Sequence, residues 1–179
     1  SRYLNESFQD YPLVRKLASS AASNAKDDDV LSRARALSSF VHVHISKKGL
    51  ATAFAGAGET ARTKRGDCSE HAVLLAAMLR AEDIPSRVAS GLVYADQFAG
   101  HQNIFGWHMW TQALIDGKWI DLDATLPSDY HAGHILTGVS SLRDGAMSRE
   151  FSSVVRLMGN IDIEVLEIEH GDSGAGSSE

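Results

Sequence analysis

Apolar positions recur at helical intervals in the first half of the chain and alternate in the second. From Tyr11 to Ala22, the residues Leu13, Val14, Leu17, Ala18 and Ala21 fall on one helix face. Val30, Leu31, Ala34, Leu37, Val41 and Ile45 predict a second helix. Asp27, Asp28 and Asp29 suit its start, where carboxylates meet the positive end of the helix dipole, and Lys47, Lys48 and Gly49 suit its close. The aspartate run therefore reads as a helix start and not as a calcium loop. Residues 51–66, rich in Ala, Gly and Thr, read as a connector or a short helix. Ala72 to Leu79 is apolar on nearly every side, which predicts a helix buried all round. Asp67 and Glu70 precede it at the spacing of a capping box.

Beyond Asp83 the period changes. Arg87 to Tyr94 has strand-like content after Pro85, and Gly106 to Ile115 is a stronger strand. Asp116-Gly117 is a hairpin turn signal leading into Lys118–Ala124. Residues 126–150 read as loop with room for one short helix. Phe151 to Met158 fits helix or strand, and Ile161 to Ile168 alternates like a half-exposed strand. Residues 171–179 hold Gly, Ser and acids with nothing to bury, so a disordered tail is expected. Helices followed by antiparallel strands predict an α+β fold, here one domain over residues 1–170.

Composition narrows the function classes. At 179 residues, with 44% hydrophobic and 22% charged residues, the chain can bury a core without disulfides or a structural metal. Seventeen Lys and Arg against 23 Asp and Glu give a net charge of −6, which disfavours a nucleic-acid surface. The densest basic piece, Arg62 to Arg65, has only three charges. The longest apolar run, Ala72 to Leu79, is 8 residues, against about 20 for a membrane-spanning helix. A chain opening at Ser1 without methionine reads as a fragment of a longer protein from which any targeting segment would have been cut, which leaves the localisation open. The cytoplasm is slightly favoured.

The only cysteine, Cys68, falls at the start of the buried helix, where the dipole favours a thiolate. Asp67 and Glu70 oppose that effect, so a cationic neighbour is required. His108 qualifies: in Trp107-His108-Met109-Trp110-Thr111-Gln112 it shares a strand face with Trp110 and Gln112. A two-residue turn at Asp116-Gly117 sets Ile115 opposite Lys118, Leu114 opposite Trp119 and Trp110 opposite Asp123. Asp123 is then a diagonal neighbour of His108, within reach of its imidazole. Asp121, opposite Gln112, has the right parity but lies one pair further away. Cys68, His108 and Asp123 together have the logic of a nucleophile, a base and an orienting carboxylate.

The other candidates read more plainly. Trp107, Trp110 and Trp119 would wall the site, with substrate contact a lesser role. His71 would fix the helix start, and His42 and His44 are structural. His131 and His134 invite a metal reading, but Gly133 between them argues for a loop. No metal and no cofactor are expected.

The stretches "RGDCSEHAVLLAAMLRAEDIPSRVASGLVY" and "FGWHMWTQALIDGKWIDLDAT" resemble the transglutaminase-like superfamily across residues 50–127. The resemblance implies a papain-like α+β core, with helices packed on an antiparallel sheet. It implies Cys68 as nucleophile, His108 as base and acid, and Asp123 as orienter. Asp-Ala-Thr stands where Asp-Pro-Thr is usual, which leaves the aspartate in place. The calcium dependence of the large animal enzymes is not implied. The bacterial members it resembles are described as cysteine proteases or transglutaminase-like enzymes of unsettled substrate. The expected activity is thiol acyl transfer on a protein or peptide amide through a thioester on Cys68. Water as acceptor makes a protease or amidase, which is favoured, and an amine makes a transglutaminase. The alternatives are a catalytically silent binding or regulatory module within a larger protein, and a zinc hydrolase built on His131 and His134.

Overall fold

The computed structural model describes residues 11–49, 55–98, 100–126 and 133–142. Helix α1 spans Tyr11–Ala22 and α2 spans Val30–His44, as the apolar spacing predicts. Asp29 caps α2 by accepting the Ser32 N–H at 2.9 Å. Lys47 and Lys48 do more than close that helix. They form a short strand, β1, parallel to β2 (Arg65–Gly66). Between the two, helix α3 occupies Ala57–Thr63.

Helix α4, Cys68–Ala81, is the centre of the core. Every residue from Ser69 to Arg80 is buried. Such a helix needs partners all round, and α1, α2, α3 and the sheet supply them. Its Leu74, Leu75, Met78 and Leu79 share one apolar cluster with Val14 and Ala18 of α1 and Leu37 and Val41 of α2.

Four antiparallel strands follow in the order β5-β4-β3-β6. Strand β3 is Ser86–Phe98, β4 His101–Ile115, β5 Lys118–Leu122 and β6 His134–Ser140. The β4–β5 register sets Ile115 opposite Lys118, Leu114 opposite Trp119 and Gln112 opposite Asp121, as the turn rule requires. Asp116 and Gly117 take φ values of +50° and +75°, the left-handed pair that a two-residue hairpin demands. Val88, Met109, Ala113, Ile115 and Leu122 line the helix side of the sheet, and Thr111 Oγ1 donates to the Ala72 carbonyl of α4. The alternate positions, His108, Trp110 and Gln112, take the other side.

The helices and antiparallel sheet together confirm the α+β class with a transglutaminase-like, papain-like core. One expectation changes: the stretch read as loop with a short helix contains β6. That strand pairs with β3 through a register shift between Ser90 and Gly91. Gly91 makes the approach possible, because a Cβ there would lie 2.0 Å from the Ile135 carbonyl oxygen. The expected elements at 151–158 and 161–168 and the tail at 171–179 lie outside the described residues.

Candidate functional site: a buried histidine–aspartate–histidine cluster

The first turn of α4 is held by a complete capping box. Asp67 Oδ1 accepts the Ser69 N–H at 2.9 Å, and Glu70 Oε2 accepts the Asp67 N–H at 2.9 Å. Glu70 Oε1 reaches further and accepts the Ala55 N–H at 2.9 Å. Burial pushes the Glu70 carboxyl above its ordinary pKa, although these two backbone donors pull the other way. His71 is buried and its Nδ1 meets the Asp67 carbonyl, so it fixes the helix start; burial lowers its pKa. Cys68, half-buried, opens the helix above this arrangement.

Across from it, the β4–β5 hairpin brings His108 to Asp123. The imidazole Nε2 lies 2.6 Å from Asp123 Oδ2. The same oxygen takes a second imidazole, His134 Nε2, at 2.9 Å. The other carboxylate oxygen, Oδ1, accepts the backbone N–H groups of Thr125 at 2.8 Å and Leu126 at 3.3 Å. All three side chains are nearly closed to solvent, at 7% for His108, 3% for Asp123 and 1% for His134. One donor atom from each lies within 4.8 Å of the other two.

Trp110 walls the cluster. Its ring lies 6.2 Å from that of His108 and 5.0 Å from that of His134, and its Nε1 donates to Asp121. Asp121 also accepts from Gln112 at 2.8 Å, so it anchors Trp110 and leaves the histidine to Asp123. Trp119 lies on the same side of the sheet but further along the hairpin, under the Arg87 guanidinium at 3.9 Å. Trp107 alternates to the opposite side of β4 from His108.

Electrostatics follow from this packing. Burial works against a charged His108, but the hydrogen bond to Asp123, then that to Cys68, outweigh it and raise the imidazole to about 9. Burial likewise resists a charged Asp123, yet the hydrogen bonds from His108 and His134 hold its carboxyl well below the usual range. His108 and Asp123 form a buried ion pair at neutral pH.

The expected Cys68–His108–Asp123 triad requires correction. The three side chains that close on one another are His108, Asp123 and His134, and Cys68 is not a member of that set. The thiol meets that set at His108. The orienting oxygen is not dedicated to one imidazole but divided between two. The readings as cysteine protease, amidase, hydrolase or acyltransferase working through a thioester lose their geometric basis here.

Sequence reasoning singled out His134 but paired it with His131, which lies outside the described residues. The useful signal was the β-branched and apolar content of His134–Ser140 (Ile135, Leu136, Thr137 and Val139), which Gly133 masked as loop. His42 and His44 are structural as expected. His42 Nδ1 meets the Ala124 carbonyl at 2.9 Å, and His44 Nε2 the Ala61 carbonyl at 2.8 Å.

The chain belongs to the Transglutaminase-like superfamily, whose sequence profile matches residues 15–124. Among curated proteins, none matches it. Similar folds are known from solved structures. A Cytophaga hutchinsonii protein provisionally called a cysteine protease shares 24% identity at a TM-score of 0.63, over 83% of this chain and 48% of its own. The periplasmic domain of TgpA from Pseudomonas aeruginosa shares 23% identity at 0.51, over 69% of this chain and 45% of its own. The same domain bound to ethylmercury superposes with a TM-score of 0.50 at 23% identity, over 69% of this chain and 47% of its own. This chain therefore spans about half the length of the solved proteins it resembles. Against the slight preference for the cytoplasm stands the TgpA domain, which is described as periplasmic in both of its structures. Among the described residues, no helix is long and apolar enough to cross a membrane.

Proposed function

We propose that this domain is a catalytically silent binding or regulatory module of a larger protein, displayed outside the cytoplasm, with a protein or peptide as its partner. The observation that carries the reading is the sharing of Asp123 Oδ2 between His108 and His134. The carboxylate that would orient His108 alone is divided between two imidazoles, and the three side chains that close on one another do not include Cys68. The family relationship supports a protein or peptide ligand, and the likeness to periplasmic domains supports the location. The chain's span of about half of each similar protein supports a part played within a longer chain.

The test is turnover. Peptide-amide cleavage and amine incorporation into a glutamine peptide should be the same for the wild type and Cys68→Ala, at background. Turnover abolished by Cys68→Ala would sink the reading. So would iodoacetamide alkylation of Cys68 that persists well below pH 7 and is lost in His108→Ala, because that pattern marks a preformed thiolate beside the imidazolium.

A further inference from the structure

The cluster has a second chemistry that hydrogen bonding does not exhaust. Two imidazole nitrogens and one carboxylate oxygen, from β4, from the residue after β5 and from β6, converge on one buried point. Nitrogen and carboxylate donors in this combination suit a divalent transition metal, zinc above all. We propose that His108, Asp123 and His134 form a zinc site, with Nε2, Oδ2 and Nε2 as ligand atoms and a fourth position open to water or to a partner's side chain.

The distances are close to what this needs. Zinc–nitrogen and zinc–oxygen bonds of about 2.0–2.2 Å place tetrahedral ligands roughly 3.3 Å apart. Asp123 Oδ2 now stands 2.6 and 2.9 Å from the two nitrogens, so each of those two pairs must open by less than 1 Å, and all three ligand atoms already lie within 4.8 Å of one another. A divalent cation bound there would take the place of the protons that the two imidazole–carboxylate hydrogen bonds require.

The surroundings favour the exchange. Ligand carboxylates are commonly held by an outer layer of hydrogen bonds. Here the Thr125 and Leu126 N–H groups hold Oδ1 and leave Oδ2 turned toward the histidines. Trp110 packs against both imidazoles and limits their rotation. Cys68 lies outside the set, so the site is one of nitrogen and oxygen and not of thiolate.

This inference goes beyond the module proposal and does not depend on it, since zinc can bind whether or not Cys68 reacts. The experiment is titration of chelator-treated protein with Zn2+, by calorimetry and by 15N imidazole spectra. The expected result is one zinc per chain, with the Nε2 resonances of His108 and His134 moving and those of His42 and His44 unmoved. His134→Gln and Asp123→Asn should weaken binding about 10- to 100-fold or more, while Cys68→Ser should bind as the wild type does. Because the wild-type spectra identify the ligands directly, a variant that fails to fold does not remove the test. Absence of binding at 100-fold excess of zinc over protein would overturn the proposal. So would binding that survives His134→Gln but is lost in Cys68→Ser, since the ligands would then be the thiol and its neighbour.

Discussion

Asp123 and His134 stand eleven residues apart in sequence and meet at 2.9 Å, Nε2 to Oδ2. The contact joins the residue just past β5 to the first residue of β6, at opposite edges of the described sheet. It makes the Asp123 carboxylate a hub and not the end of a chain. Replacing Asp123 by Asn removes the negative charge from both histidines at once. Burial then dominates His108, whose pKa is expected to fall from about 9 to below its ordinary 6.5. Imidazole titration by NMR reads this directly. A His108 that still titrates near 9 in Asp123→Asn would mean that Cys68 carries a thiolate strong enough to hold it.

The same pair sets a pH profile for stability. His108 has a folded pKa raised to about 9, so its contribution is complete below about 6.5 and is lost as pH rises through 9. Asp123 is depressed, so its contribution is present above about 3.9 and lost as pH falls further. Both limbs report one ion pair and are not to be added. A shift of about 2.5 pH units corresponds to roughly 3 kcal/mol. Urea midpoints should therefore be highest between about pH 5 and 6.5 and decline toward pH 9. In Asp123→Asn the alkaline decline should be largely absent, and an unchanged decline would assign it to other groups.

Much of this site was legible because local rules fix it. The hairpin turn at Asp116-Gly117 sets the parity of β4 against β5, and parity alone brings Asp123 to the His108 side. The capping box was likewise written in Asp67 and Glu70. What was not legible depends on distant chain. His134 reaches Asp123 only because β6 docks on β3, and that docking hangs on a register shift at Gly91 that no local pattern announces. The short β1–β2 pair was hidden for a similar reason. Lys47 and Lys48 have the composition of a helix terminus, and their strand pairing is dictated by where α3 returns the chain. The triad reading erred at the same point, by counting one histidine around Asp123 where the fold supplies two.

Glu70 is a second buried carboxyl with a structural task. Its two oxygens satisfy the Ala55 and Asp67 N–H groups, so Glu70→Ala strands two backbone donors in a closed environment. The expected loss is about 2–4 kcal/mol, and Glu70→Gln, which retains one acceptor oxygen, should lose about half as much. Gly66→Ala attacks the same place from the other side, because its Cβ would lie 2.2 Å from Glu70 Cβ. Equal urea midpoints for Glu70→Ala and Glu70→Gln would show that packing, and not the paired acceptors, is what Glu70 contributes.

Gly91 offers the sharpest separation between the two histidines. In Gly91→Ala the new Cβ meets the Ile135 carbonyl oxygen at 2.0 Å and the Thr137 nitrogen at 3.1 Å. Both are backbone atoms and cannot rotate away, so β6 must lift from β3 at a cost of about 1–3 kcal/mol. His134 is the first residue of that strand and should lose its contact with Asp123. The His108–Asp123 contact is carried by the β4–β5 hairpin and should survive. Imidazole spectra of Gly91→Ala are thus expected to show His134 displaced while His108 still titrates near 9. Gly106→Ala is the control: no atom lies within 4 Å of its Cβ position, and stability should change by no more than about 0.5 kcal/mol. If both histidines move together in Gly91→Ala, the cluster is one mechanical unit, and β6 holds His108 in place as firmly as the hairpin does.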